Sequence, residues 1–178
     1  MGNVVLYIAA SLDGYIATED GGVAWLDAFN DTGDDFGYAD FVANVGTVIM
    51  GAKTYRQVLD FGTWVYKDFV SYIVTSQALA EHSDDVRKAD SDFKKLVQKI
   101  KSESDKDIFF IGGAQLSKAF IEQDLIDLYQ IFIMPVMLGK GIRLFLDLDT
   151  VQNVTLVESK AYPSGVVELQ YQVKHKKD

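Results

Sequence analysis

The sequence predicts a mixed α/β fold, a mainly parallel central sheet finished by an antiparallel C-terminal hairpin. Three observations carry that reading. Continuous apolar runs such as VVLYIAA (4–10) are what strands covered on both faces require. Up to residue 121 such runs alternate with segments whose apolar residues recur at helical spacing, the order expected of an α/β sheet. Beyond that point strands dominate, and the last two alternate like half-exposed antiparallel partners. With 178 residues, 48% apolar and 12% aromatic, the chain has core material for one domain over 1–178 and is short for two.

The elements follow in order. VVLYIAA is a central strand, and SLDGYIATEDGG (11–22) holds an Asp-Gly and a Gly-Gly, so it is a loop with a short extended piece at 15–17. From Asp34 the spacing of Phe36, Phe41, Val42 and Val45 suits a helix, with Asp34 or Asp35 available as its cap. TVIM (47–50) is a strand, followed by Gly51 and a helix through Tyr55, Val58 and Leu59. FVSYIVT (69–75) is the next strand, and a polar connection leads to a helix marked by Phe93, Leu96, Val97 and Ile100. DIFFI (107–111) runs into Gly112-Gly113 and a helix containing Leu116, Ala119, Phe120 and Ile121. LYQIFIMPVM (128–137), a turn at 139–141, VTLVESKAY (154–162), a Pro-Ser-Gly turn and VVELQYQVK (166–174) complete the chain, with no repeat or linker.

Charge and composition exclude several functions. The formal net charge is −9, and the first 52 residues hold eight carboxylates before the first cation, Lys53. A surface built from that segment repels phosphate backbones, so nucleic acid is not an expected partner. The basic tail from Lys174 is expected to be a solvated end. There is no cysteine, no basic segment ahead of an apolar one at the N-terminus, and no apolar run near the ~20 residues a membrane span needs, so a reduced, cytoplasmic protein is expected, with no membrane partner. With only His82 and His175, both in polar segments, Cys-His and Ser-His-Asp catalysis and a His-rich metal cluster are excluded, and no metal is expected.

The glycines point to a ligand. Gly112-Gly113 lies at the carboxyl end of a buried strand and the amino end of a helix, where open α/β sheets bind ligands. Unpaired N–H groups and the helix dipole favour an anion there, and a missing Cβ lets a phosphate approach the chain. Gly51 repeats the design, with Lys53 and Thr54 able to meet phosphate oxygens, and two such sites on neighbouring strand ends suit a dinucleotide. A third strand end, Thr75-Ser76, offers hydroxyls for a ribose or an adenosine phosphate, or simply caps a turn. Neither GxGxxG nor GxxxxGK[ST] is present.

YIAASLDGYIA, VIMGAKTY, IVTS, FFIGGAQL and IMPVMLGKGIRLF together, over about 4–173, resemble the dihydrofolate-reductase-like superfamily. More narrowly, the chain is similar to stand-alone relatives of the reductase domain of the bifunctional riboflavin-biosynthesis deaminase-reductase, without the H-x-E and P-C-x-x-C elements of a zinc deaminase. The resemblance implies a three-layer fold, a homodimer, and an NADPH-dependent reductase that passes a hydride to a small heterocyclic or carbonyl substrate. The nearest named activity is 5-amino-6-(5-phosphoribosylamino)uracil reductase. By the same resemblance Ala10 and Ile16 flank the nicotinamide, and Gly51, Lys53 and Thr54 cradle phosphates. Thr75 and Ser76 take the adenosine end, and Ile111, Gly112, Gly113, Ala114, Gln115 and Leu116 lie along the pyrophosphate.

One departure stands out. Relatives often have MGRxTY, and Ala52 stands where that arginine falls, which leaves NADH open as the cofactor. The resemblance also places Asp13 beside the substrate, although an Asp before Gly equally forms a turn. Asp27 falls roughly where folate reductases carry a proton-relaying carboxylate, and if buried its pKa would rise enough to donate at neutral pH. Trp25 is a candidate wall of the substrate pocket. The cation-free first segment points to a neutral or cationic substrate. A nucleotide-binding module without catalysis is the alternative.

Overall fold

The computed structural model describes residues 1–30, 32–79 and 85–175, so Asp31, His82, Lys176 and Lys177 lie outside the described residues. Ten strands and four α-helices follow one another as β1 (Val4–Ser11), β2 (Tyr15–Ala17), α1 (Tyr38–Ala43), β3 (Val45–Gly51), α2 (Ala52–Asp60), β4 (Val70–Val74), β5 (Val86–Ala89), α3 (Phe93–Glu103), β6 (Asp107–Gly112), α4 (Ala114–Glu122), β7 (Leu128–Met134), β8 (Ile142–Arg143), β9 (Val154–Ala161) and β10 (Val167–Val173). A short 3-10 helix, Ala24–Phe29, precedes α1.

Eight strands form one sheet in the order β5-β4-β3-β6-β1-β7-β10-β9, parallel from β5 to β7 and antiparallel beyond. β2 and β8 make a separate two-stranded sheet. Side chains alternate across the main sheet and divide the core. Val4, Leu6, Ile108 and Phe110 face α3 and α4, whose Phe93, Val97, Ile100 and Phe120 recur at helical spacing. Phe110 is fully buried, stacked on Phe120 at 4.2 Å. On the opposite face Val48, Met50 and Phe109 pack against Phe41 of α1 and Tyr55 of α2. The result is the expected three layers.

The differences from expectation are local. Val45 belongs to β3, and α1 starts at Tyr38 behind a left-handed Gly37, with Asp35 accepting bonds from the Gly37 and Ala39 amides. The polar connection contains β5, whose Val-Arg-Lys-Ala carries too little apolar signal to announce a strand. β10 is partly buried, whereas β9 is exposed at all eight positions and not at alternate ones. The tail is not wholly solvated, because His175 reaches Asp127 at 2.8 Å and Asp124 at 3.2 Å. Among the described residues no helix is long and apolar enough to cross a membrane, and no group of three or more His, Cys, Asp or Glu could hold a metal.

Candidate active site at the strand carboxyl ends

β3 and β6 are neighbours with Met50 opposite Gly112, so the two glycine turns emerge side by side. Each opens a nine-residue helix with an extended glycine as N-cap, Gly51 for α2 and Gly113 for α4, and neither helix has a side-chain cap. α3 shows the contrast, since Asp92 accepts from the Lys95 amide at 3.1 Å. The first-turn N–H groups of α2 and α4 thus lack the side-chain acceptor that an N-cap normally supplies.

Each glycine lies against the other's turn. A Cβ on Gly51 would meet the Gly112 carbonyl at 3.7 Å and the Leu116 side chain at 3.9 Å. One on Gly113 would stand 3.4 Å from the Thr54 hydroxyl. Gly112 has φ of +89° and a Cβ there would come within 2.8 Å of the Ser117 hydroxyl, so only glycine fits without rearrangement. The Gly112–Gly113 peptide is cis. Ala114, Gln115 and Leu116 form the first turn of α4, Ile111 is half-buried on β6, and Lys53 is exposed beside them on α2.

The other candidate positions lie on neighbouring strands and their loops. Thr75 follows Val74, the partner of Gly51, but its hydroxyl already accepts from the Gln77 amide at 3.1 Å in a turn. The exposed Ser76 offers its carbonyl to Lys88 Nζ at 3.1 Å. Lys88 is a cation beside Ser76 that sequence reading missed, hidden in the unrecognised β5. Ala10 is fully buried on β1 and Ile16 packs against the same apolar cluster from β2.

Asp13 ties two loops together. Its carboxylate accepts from the Leu138 amide at 3.1 Å, the Gly139 amide at 2.7 Å and the Ser11 hydroxyl at 2.6 Å. The Ser11 bond first, then those amides, hold its carboxyl below the usual carboxylate range. The loop after β7 therefore folds onto the loop after β1, and β8 pairs with β2. Gly141 makes this possible, since any Cβ would stand 2.2 Å from the Ala17 carbonyl. The same loop delivers Lys140 to Glu19 at 2.9 Å and lays Arg143 over the Tyr15 ring at 5.5 Å.

Asp27 is exposed on the 3-10 helix, 3.5 Å from the Asn30 amide, so it lacks the burial on which the proton-donor expectation rested. Trp25 packs against Phe132, Met134, Tyr162 and Val166, and its buried indole N–H has no acceptor among the described residues. A separate groove of about 350 Å³ lies between α1 and the β9–β10 hairpin, away from the glycine turns, lined by Val5, Asp107 and Leu128 near the strands' amino ends and by Gln130 and Glu168.

Residues 3–168 match the RibD C-terminal domain family. YwjB of Bacillus subtilis (strain 168), an uncharacterised protein, is 38% identical over 163 residues, 91% of this chain and 93% of its own. A Shewanella sp. PV-4 protein assigned provisionally to riboflavin biosynthesis superposes with a TM-score of 0.88 at 25% identity, over 97% of this chain and 99% of that one. The Thermotoga maritima diaminohydroxyphosphoribosylaminopyrimidine deaminase/5-amino-6-(5-phosphoribosylamino)uracil reductase shares the fold, with a TM-score of 0.71 at 18% identity; the match takes in 97% of this chain and 57% of that one. With the family matched over residues 3–168 and the superposition covering 97% of the chain, the chain belongs to the RibD C-terminal domain family and has its dihydrofolate-reductase-like fold.

Proposed function

We propose that this chain is an NADPH-dependent reductase of a small heterocyclic or carbonyl compound. The observation that supports it best is the pair of facing helix N-termini, each uncapped and each opened by a glycine, at the carboxyl ends of β3 and β6. The residues present fit a dinucleotide. First-turn amides of α2 and α4 donate to the pyrophosphate, and the bare Cα of Gly113 lets it approach. Thr54, with its hydroxyl facing Gly113, and the exposed Lys53 supply further donors. Lys88, bound to the Ser76 carbonyl, lies at the adenosine end.

A bound nicotinamide supplies the hydride. The protein's share is position. Asp13 holds the substrate-side loop as a carboxylate and adds a fixed negative charge. Trp25 offers its unmatched indole N–H to an acceptor atom of the substrate, while Phe132 and Met134 beneath it exclude water. The proton reaches the substrate from solvent, since Asp13 is held ionised and Asp27 is exposed.

The substrate is neutral or cationic. A phosphoribosyl group brings a dianion whose charge-assisted bonds are worth ~1.5–3 kcal/mol each, and it needs cations to make them. The cations nearest the first loop, Lys140 and Arg143, are engaged by Glu19 and Tyr15. A clearly higher kcat/KM for the phosphoribosylaminopyrimidine than for its dephosphorylated form would reverse this assignment.

The cofactor reading is tested by thermal unfolding. NADPH at 100 times Kd adds about 2.7 kcal/mol and raises Tm, and Gly113→Val should abolish the rise while the protein still folds, because φ at Gly113 is an ordinary −69°. An undiminished rise in that variant would move the pyrophosphate elsewhere. The absence of a placed acid favours one second reading, a nucleotide-binding module without catalysis. NADPH binding with no oxidation across pterins, pyrimidines and quinones would select it.

A further inference from the structure

Where β7 and β10 pair, a buried patch of the sheet is polar instead of apolar. Glu168 is 4% exposed and accepts from Gln130, Tyr162 and Gln170, all of them neutral donors. Lys160 stands directly opposite Glu168 in the β9–β10 register, yet its ammonium lies 4.3 Å from the centre of the Tyr162 ring and makes no ion pair with the carboxylate. Among the described residues, then, no cation pairs with this buried acid. A carboxylate held by neutral groups alone in a low-dielectric setting still attracts a counter-charge strongly.

Glu168 opens onto the groove of about 350 Å³ beside α1. Gln130, lining the same groove, is 9% exposed; it donates its amide to Glu168, and its Oε1 has no donor among the described residues. Asp40 of α1 and Glu158 of β9 are exposed groove residues, and neither carboxylate is in an ion pair. With Asp107 the lining carries four carboxylates against the one ammonium of Lys160. A concave surface of one sign concentrates counter-ions.

The chemistry of the lining selects the cation. No group of three or more His, Cys, Asp or Glu among the described residues could hold a metal, so the match is a cation that donates N–H bonds to carboxylates and an amide carbonyl. Acceptors stand both deep in the groove and at its exposed residues, and Val5, Phe41 and Leu128 add apolar lining. Two ammonium groups joined by methylenes satisfy all three. We propose that this groove binds an aliphatic diamine, with one ammonium on Glu168 and Gln130 and the other on Asp40 and Glu158. The site is independent of the reductase reading, since no residue of the glycine turns lines it.

Calorimetric titration with putrescine at fixed ionic strength should show one saturable site per chain. Butylamine, with one ammonium, should bind roughly tenfold more weakly, and 1,4-butanediol, with none, should not bind. Glu158→Gln, an exposed change, should leave stability intact and weaken putrescine about threefold, whereas Lys160→Met removes the competing cation and should tighten it. Glu168→Gln should weaken it tenfold or more, and the other two variants carry the test if that protein does not fold. Asp90→Asn, beyond β5 at the far edge of the sheet, removes an equal charge elsewhere and should change nothing. No saturable binding of putrescine, equal affinity for butylamine, equal losses in Asp90→Asn and Glu158→Gln, or a weaker site in Lys160→Met would overturn the proposal.

Discussion

The six parallel strands and the two antiparallel ones are built to different ends. From β4 to β7 the sheet is covered on both faces, and Val4, Leu6, Val48, Ile49, Met50 and Phe110 are fully buried. At β10 and β9 the helices run out, and the sheet face over Gln130, Glu168 and Gln170 is polar, with Glu168 inside the sheet accepting three bonds. Both regions are the same hydrogen-bonded sheet, yet the buried core and the glycine turns are concentrated in one and an uncovered edge in the other. Strand pairing alone does not decide where a fold is strong; what covers the strands does.

The largest effect should come from the covered half. Phe110→Ala removes a fully buried ring stacked on Phe120 and should cost about 3–5 kcal/mol. Leu156→Ala on β9 should stay within about 0.5 kcal/mol. Urea unfolding of both variants tests the contrast, and equal losses would break it.

Next is the polar cluster of the uncovered end. Glu168 accepts from Gln130 at 2.7 Å, Tyr162 at 2.7 Å and Gln170 at 2.8 Å. Glu168→Gln turns a donor toward one of those donors and should cost about 1–3 kcal/mol, without changing NADPH affinity. A change in both would show that the two regions are coupled.

Lys53→Ala should weaken NADPH roughly tenfold, about 1.4 kcal/mol, and NADH less, if Lys53 serves in place of the arginine that Ala52 displaces. Titration with each cofactor reads this directly, and equal weakening would assign Lys53 to the shared pyrophosphate.

The smallest effect spans both regions. Burial, first among the causes, raises the phenol pKa of Tyr7 and Tyr66 in the covered half and of Tyr129 and Tyr162 at the β7–β10 end; Glu168 adds to it at Tyr7 and Tyr162. A raised folded pKa contributes stability in full below the unfolded value of 10.0 and loses it as pH rises through the folded value. Tm should therefore fall as pH passes 10.0, and Tyr162→Phe should make the fall shallower. An unchanged slope in that variant would deny Tyr162 a share.

What the sequence revealed was what is local. Buried strands announce themselves as apolar runs, and the glycines at 51, 112 and 113 mark strand-to-helix turns, although only Gly112, with its φ of +89° and the Ser117 hydroxyl close by, excludes other residues. β5 stayed hidden because Arg87 and Lys88 lie exposed on an edge strand, where apolar content is not required. The bareness of β9 was equally illegible, since strand spacing records pairing but not whether a layer lies above. The sequence offered Asp13 both as a substrate contact and as a turn residue, but its partners Leu138 and Gly139 come from a loop far along the chain, and no spacing rule reports that. Asp27 needed burial to act as an acid, and burial is a property of the packed loop.

The place of β1 has a consequence for synthesis. It leaves the ribosome ahead of the other strands, yet its sheet neighbours begin at Asp107 and Leu128. At an elongation rate of roughly 5–20 residues per second, the run VVLYIAA waits roughly 5–20 s without either neighbour. Throughout that interval the nascent protein displays a strongly apolar strand, a binding site for chaperones on a chain whose finished form buries most of it.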